Sequence, residues 1–554
     1  MLRRSIYLLL ALLALSGKAE ALEGCFCAKD NSAVQKCGEV QRFDPADAVT
    51  LKEYVPLNCE RRRAPPITLS FLNYTECRPP RALTECKEET EKTEKAEKTE
   101  KTEKEKEKTA KEVASESFGV MGSNTIGEVL MPALIKSFAE FSGYAVEGDR
   151  CNSEFRLQAK KSGSTAITIR CEARGTHTGI PALAGKEADI AMLSRPITEE
   201  EQGLMRRRTF PKMTSVPFES VIALDGLRII VSRQNRLDAL SLDQIARIFS
   251  GEITNWSDVG GRPGRINLYV RDTESGTRDT FEYLVMKPRG KRIAGDAHSF
   301  ESSGTLANSV ENDVYGIGFV GFAYSGDTKA LAINGSCGIQ HKPSAFLIKT
   351  EDYPLSRRLF LYKARPQSVY AEELVSYVLS NAAQPIIERA GYVNQAIESW
   401  NATETRSRTL EYAAAPIREP ELDVKSPYLA DLLREMDRAK RLSISFHFRF
   451  ARDDLDTKAL DDVIRLASYL KNRNGGARLL LLGFADAVGA FDSNLVLSEN
   501  RAKSVRDALL KTGANLDPAA IITKGYSELM PIACNSSDLE REKNRRVEVY
   551  LLDQ

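Results

Sequence analysis

The chain has 554 residues, with 78 Lys and Arg against 77 Asp and Glu and a formal net charge of +1. So balanced a charge leaves no electrostatic footprint for a nucleic-acid partner, and the length fits two substantial domains plus a small one. The four histidines (His177, His298, His341 and His447) are widely separated. Neither a zinc-protease motif nor a serine nucleophile elbow is present, so the expectation is no enzyme, no metal and no cofactor.

Residues 1–21 carry Arg3 and Arg4, an apolar run over 6–15, and then Ala19-Glu20-Ala21. That is the pattern of a secretory signal peptide, too short to anchor in a bilayer. Residues 22–86 hold six of the ten cysteines (Cys25, Cys27, Cys37, Cys59, Cys77 and Cys86). In an exported segment too small for a large core, disulfides are the expected staple. No histidine lies there to complete a zinc site. Which cysteines pair stays open, as does a protein partner for the segment. Cys151 and Cys171 are candidates for a further bond, whereas Cys337 and Cys534 have no evident partners. Residues 87–114 are a near-repeat of Glu-Lys-Thr, which buries too little apolar surface to fold and reads as a linker.

Four polar turns follow at strand-to-helix junctions. VMGSNT (120–125) precedes a helical stripe of Leu130, Leu134, Phe138 and Phe141. Ser123, Asn124 and Thr125 therefore sit at a helix start, where free N–H groups and the dipole favour an anion. GTHTG (175–179) follows a strand at 166–170 and contributes Thr176, with His177 beside it. Ser194-Arg195-Pro196 follows the apolar run 190–193. RDTESGT (271–277) follows a strand at 266–270 and opens a helix over 278–286. One such turn is an ordinary helix cap; four together can surround an oxyanion with hydroxyls and N–H groups.

Residues 115–400 resemble the PstS-like phosphate-binding proteins. The resemblance rests on IFSGEITNWSDVGG (248–261), the R-x-x-x-S-G-T-R turn from Arg271, ADIA (188–191) leading into Ser194-Arg195-Pro196, and YGIGFV (315–320). It implies the α/β, two-lobed type II periplasmic binding fold hinged around a cleft, with crossover strands near 216–232 and 316–324 and Trp256 packed in the second lobe. It also implies anion contacts from Ser123, Thr125, Thr176, Ser194, Arg271, Ser275, Gly276 and Thr277. Two departures stand out. Arg195 and Thr273 occupy positions where the family has aspartates, with Asp272 or Glu274 as the nearest replacements. An acceptor carboxylate selects a protonated anion, so strict phosphate selectivity loses its basis. Arg195, counted among the anion-binding residues, favours a larger or more highly charged ligand. The expected ligand is phosphate or a related oxyanion.

A connector (401–441) turns helical around 428–439. Residues 443–450 then alternate, with Ile444, Phe446, Phe448 and Phe450 on one face and His447 on the solvent side. Leu460, Val463, Ile464, Ala467 and Leu470 recur at helical spacing, and 479–482 reads as a buried strand. GFADAVGAFDSNLVLSENRA (483–502) sets Asp486 in a loop. Arg501 falls in the first turn of a helix capped by Ser498 and stopped at Gly513. A last strand spans 546–551, giving a smaller α/β sandwich.

Residues 442–554 resemble the OmpA-like peptidoglycan-binding domain. The match runs through Gly483, Asp486 and Gly489, through Asn494, Leu497, Ser498, Arg501 and Ala502, through Gly525, Tyr526, Glu528 and Pro531, and through the run NRRVE from Asn544. The resemblance implies that Asp486 takes the ammonium and Arg501 the carboxylate of a diaminopimelate side chain, with Asn494 in the same site. Phe484-Ala485 stands where His-Thr is usual, and Arg545 and Arg546 read as structural or rim charges. The whole chain reads as a periplasmic or outer-membrane-associated binding protein tethered to peptidoglycan. The alternative is a wall-anchored structural or adhesin-like protein with a degenerate cleft.

Overall fold

The computed structural model describes residues 116–554 except 160–164, 209–211, 365–367, 401–402, 405–406, 408–425, 472–477, 553–554 and positions 274, 323, 325, 336 and 515. Upstream it describes the backbone of four strands. The chain divides into two compact units, Met1–Glu112 and Val113–Gln554. In the first, β1 (Cys25–Lys29), β2 (Gln35–Phe43), β3 (Leu51–Pro56) and β4 (Tyr74–Glu76) form an antiparallel sheet in the order β3-β2-β1-β4. The expected signal peptide, the Glu-Lys-Thr linker and the cysteine pairing within 22–86 lie outside the described residues.

The second unit opens with β5 (Glu116–Gly122), β6 (Tyr144–Glu147), β7 (Ser153–Ala159), β8 (Thr165–Ala173) and β9 (Ile190–Leu193). β5 lies between β8 and β9 and runs parallel to both. A Cys151–Cys171 disulfide ties the approach to β7 onto β8. Next come β10 (Glu219–Val231), β11 (Ala239–Ser241), β12 (Asn267–Arg271), β13 (His298–Phe300), β14 (Gly316–Gly321), β15 (Lys329–Ala330), β16 (Ala332–Asn334), β17 (Gln340–His341) and β18 (Ser356–Lys363). β12 lies between β13 and β14, parallel to both. β11, β16 and β17 make a small separate sheet, and β15 adds to β10.

Two apolar cores define two lobes. Phe118, Leu134, Ile169 and Leu361 pack in the first, and Phe249, Trp256, Phe281 and Phe319 in the second. β10 serves both, giving Ile222 to one and Leu227 and Ile229 to the other. Its first half pairs with β18 and its second half with β14. The segment 316–324, expected to cross between the lobes, does not do so. β14 stays within the second lobe between β10 and β12, and all its residues are buried, as an interior strand requires. The return crossing is β18, which pairs with β9 and β10.

The C-terminal module has a helix (Ser426–Asp437), β19 (Ala439–His447), a helix (Thr457–Lys471), β20 (Arg478–Phe484), a helix (Phe491–Leu510), β21 (Ile521–Gly525), a short helix (Asp538–Asn544) and β22 (Arg546–Leu552). Its sheet order is β19-β22-β20-β21. The module reaches upstream of residue 442: β19 starts at Ala439, and Leu432 and Met436 of the preceding helix join the core. Helix Thr457–Lys471 buries Ala459, Val463, Leu466, Ala467 and Leu470, whereas Leu460 and Ile464 are exposed. The helix carrying Arg501 begins at Phe491, so Ser498 is not its N-cap. Instead the Ser498 hydroxyl donates to Leu495 O (2.9 Å) and accepts from Ser527 N (3.1 Å).

This module packs against the two-lobed domain. Cys337, which the sequence left without a partner, is disulfide-bonded to Cys534 across 197 positions. Arg441 is fully buried on Asp352 (2.7 Å), Arg358 bridges Glu351 (2.8 Å) and Asp456 (2.6 Å), and Trp400 stacks on Phe346 at 4.1 Å. His447 faces this interface rather than solvent, its Nε2 lying 3.0 Å from Thr350 O. Strand alternation alone assumes a wet second face; here a domain covers it. Among the described residues no helix is long and apolar enough to cross a membrane.

Candidate functional site

Each lobe places a predicted turn at the C-terminal end of a strand flanked by later strands on both sides, β5 in one and β12 in the other. Ligands of open α/β sheets bind outside such switch points. At the first, the chain leaves β5 through Gly122 at φ 136°. A Cβ there would stand 2.2 Å from Met192 O, so glycine is required. Ser123 N then donates to Met192 O (2.9 Å), while Arg174 N and Gly175 N donate to Gly122 O (3.0 and 2.9 Å). These bonds draw three turns together. Thr176 and Ser194 share a hydroxyl hydrogen bond of 2.8 Å, and Ser194 N donates to Thr176 Oγ1 at 3.3 Å. Ser123 is buried, and its Oγ has no hydrogen-bond partner among the described residues. Such a group costs about 1–3 kcal/mol, which a bound acceptor would relieve.

The second lobe meets the first at Thr125. A Cβ on Gly276 would lie 1.7 Å from Thr125 Oγ1, so the two turns touch and only glycine fits between them. Ser275 caps the helix Gly276–Phe281 by accepting from Arg278 N, and Thr280 Oγ1 donates to Gly276 O at 2.7 Å. Thr277 is half-buried beside the end of β14.

Both predicted guanidiniums are engaged by the protein. Arg271 donates to Phe300 O (3.3 Å), Ser303 Oγ (2.7 Å) and Glu301 O (2.8 Å). Arg195 forms a two-pronged pair with Glu201 at 2.8 and 2.9 Å. Its hydrogen bonds to Glu201 raise the Arg195 pKa above the ordinary value. Burial opposes ionisation of Glu201, yet the Arg195 and Thr198 hydrogen bonds outweigh it and lower that carboxyl. The positive charge expected of Arg195 is thus locally offset. Sequence reasoning missed Asp225 on β10 and Arg357 on β18. Arg357 Nη2 donates to Asp225 Oδ2 (2.9 Å), Thr125 Oγ1 (3.0 Å) and Gly276 O (3.3 Å). The available signal was an acid in the middle of the mostly apolar β10 run and a base near the start of β18, although both strands carry other charges.

The C-terminal module holds a second cluster. A Cβ on Gly483 would lie 1.9 Å from Ser498 O and one on Gly525 2.5 Å from Glu499 N, so these glycines let helix Phe491–Leu510 press onto the sheet. Arg501 is thereby placed beneath the Asp486 loop. Asn494 Nδ2 holds that loop by donating to Asp486 O (3.1 Å) and Val488 O (3.2 Å). Asp486 pairs with Arg545 at 2.7 Å, which gives Arg545 a place in the cluster that the sequence reading did not assign. Arg501 is fully buried and donates to the carbonyls of Arg452 (3.0 Å), Phe484 (3.3 Å) and Arg449 (3.3 Å). Burial, then repulsion from Arg545, pushes Arg501 down to about 10, against the pull of Asp486. Arg501 and Arg545 thus flank the Asp486 carboxylate, with Asp453 also acting on Arg501 and buried Glu528 accepting from Asn494 Nδ2 at 3.4 Å. Phe484 turns from the cluster toward the Arg546 guanidinium, 4.4 Å from its ring centre.

Residues 155–382 match the PBP superfamily domain, and residues 447–545 match the OmpA family. Protein SphX of Synechococcus elongatus is 30% identical over 256 residues, 44% of this chain and 74% of that protein. The phosphate-binding protein PstS of Borreliella burgdorferi is 26% identical over 244 residues, 42% of this chain and 81% of that one. A solved ABC-type phosphate transport receptor from Vibrio cholerae is 24% identical and covers 50% of this chain and 99% of its own, at a TM-score of 0.39.

Proposed function

Because the chain belongs to the PstS-like phosphate-binding family and carries a C-terminal OmpA-family domain, we propose that it is a non-enzymatic envelope protein. It captures phosphate or a related oxyanion between its lobes while held non-covalently on peptidoglycan. The observation that carries the capture reading is the buried, unpartnered Ser123 hydroxyl beside the Thr176/Ser194 pair. Thr125, Ser275, Gly276 and Thr277 complete the cleft from both sides, and Arg271 sets the second turn.

The anchor reading is supported by the guanidiniums of Arg501 and Arg545 brought together at the Asp486 carboxylate. Two guanidiniums there suit the carboxylate of a diaminopimelate side chain. Its ammonium would share Asp486 with Arg545. Calorimetry on the full chain tests capture: phosphate binding that weakens in Ser123→Ala supports it, and no heat with phosphate or arsenate refutes it. Sedimentation with sacculi tests the anchor, which fails if Asp486→Ala and Arg501→Ala pellet like the parent.

A second reading, a wall-anchored structural or adhesin-like protein with a degenerate cleft, is favoured by one observation. Both guanidiniums predicted to meet the anion are already bonded to the protein. The same calorimetry separates the two readings.

A further inference from the structure

We infer that Arg357, held by Asp225, is a positioning residue of the anion cleft, fixing the Thr125 hydroxyl as a donor and latching the two lobe turns together. The inference rests on the capture reading. Asp225 and Arg357 stand directly opposite each other on the two crossover strands, and both side chains are 5% exposed. Arg357 Nε and Nη2 both donate to Asp225 Oδ2, at 3.1 and 2.9 Å, while Gly226 N occupies Oδ1 at 2.8 Å. The carboxylate is therefore committed to holding the guanidinium.

A guanidinium has five donors and no acceptor. Thr125 Oγ1, 3.0 Å from Nη2, must therefore accept from Arg357. Its own proton is left to donate elsewhere, and the cleft expected to receive an anion lies at this turn. The same Nη2 reaches Gly276 O in the second lobe at 3.3 Å, and the Tyr392 hydroxyl donates to Thr125 O. One side chain on the hinge thus contacts the anion turn of each lobe. Stability alone is a weak reason for such a pair, since an apolar replacement of similar volume is often as stable as a buried ion pair.

The test is a double-mutant cycle on the full chain, with inorganic phosphate as probe and calorimetry as readout. Arg357→Lys keeps the charge but loses the planar fork. We expect Arg357→Lys and Thr125→Val each to weaken phosphate binding by about ten- to a hundredfold. The double variant should be no weaker than the worse single, because both act through one hydroxyl. If Arg357→Lys does not fold, Asp225→Asn takes its place with the same expectation. Phosphate binding by Arg357→Lys equal to the parent overturns this inference alone, as do losses that add in the double variant. A parent that binds no phosphate overturns the capture reading and this inference with it.

Discussion

Asp352→Ala should destabilise the protein by removing one charge from a fully buried cluster at the junction of its two domains. Asp352 accepts from Arg441 at 2.7 and 3.3 Å, and both residues are 0% exposed. Arg441 also lies 3.3 Å from Glu548, which Arg546 shares at 2.7 Å and which accepts from the Tyr550 hydroxyl at 2.7 Å. Asp352 also acts on Lys543. Without Asp352 the buried Arg441 guanidinium loses a counter-charge, and breaking such a pair costs about 3–5 kcal/mol of a typical total near 5–15 kcal/mol. The paired replacement Asp352→Leu with Arg441→Met should recover most of that loss, because both charges leave together. The chain has two tryptophans, and Trp400 stacks on Phe346 at this interface. Urea unfolding followed by fluorescence in a Trp256→Phe background therefore reports on the junction itself. A loss below about 1 kcal/mol, the range of a solvated surface pair, would refute the reasoning. So would a double variant no more stable than the single.

Gly276→Ala should drive the lobe turns apart, since the added carbon would stand 1.7 Å from Thr125 Oγ1; overpacking of about 1–3 kcal/mol should appear in calorimetry as weaker phosphate binding. Arg501→Ala and Asp486→Ala should each abolish retention on sacculi in a pelleting assay, and Arg545→Ala should weaken it. Burial chiefly lowers the His447 pKa below its ordinary 6.5, with Glu351 opposing. A His whose folded value lies below the unfolded one leaves stability intact above about pH 6.5 and loses it as pH falls further, because the unfolded chain binds the proton more readily. Urea unfolding at pH 7.5 and 5.5 should show a larger acid loss in the parent than in His447→Gln; equal losses would contradict this.

The two-domain plan and the polar turns were legible because each depends on local pattern: hydrophobic period, a small residue at a strand exit, a hydroxyl at a helix start. What escaped depends on distant partners. Cys337 meets Cys534 only after two domains have docked. Asp225 and Arg357 sit in strands whose other residues are mostly apolar, so their pairing needs the register of β10 against β18. Helix Phe491–Leu510 starts after Ala490 without a side-chain cap, which left Ser498 as the misleading start signal. His447 and the exposed Leu460 and Ile464 show the limit of periodicity: it assigns a face without saying what covers it.

Simultaneous capture and tethering can be read in one pelleting experiment. Sacculi mixed with the full chain and radiolabelled phosphate should carry label into the pellet, whereas with Arg501→Ala both protein and label should stay in the supernatant. Parent protein that pellets without label above that of sacculi alone would rule out simultaneous capture and tethering.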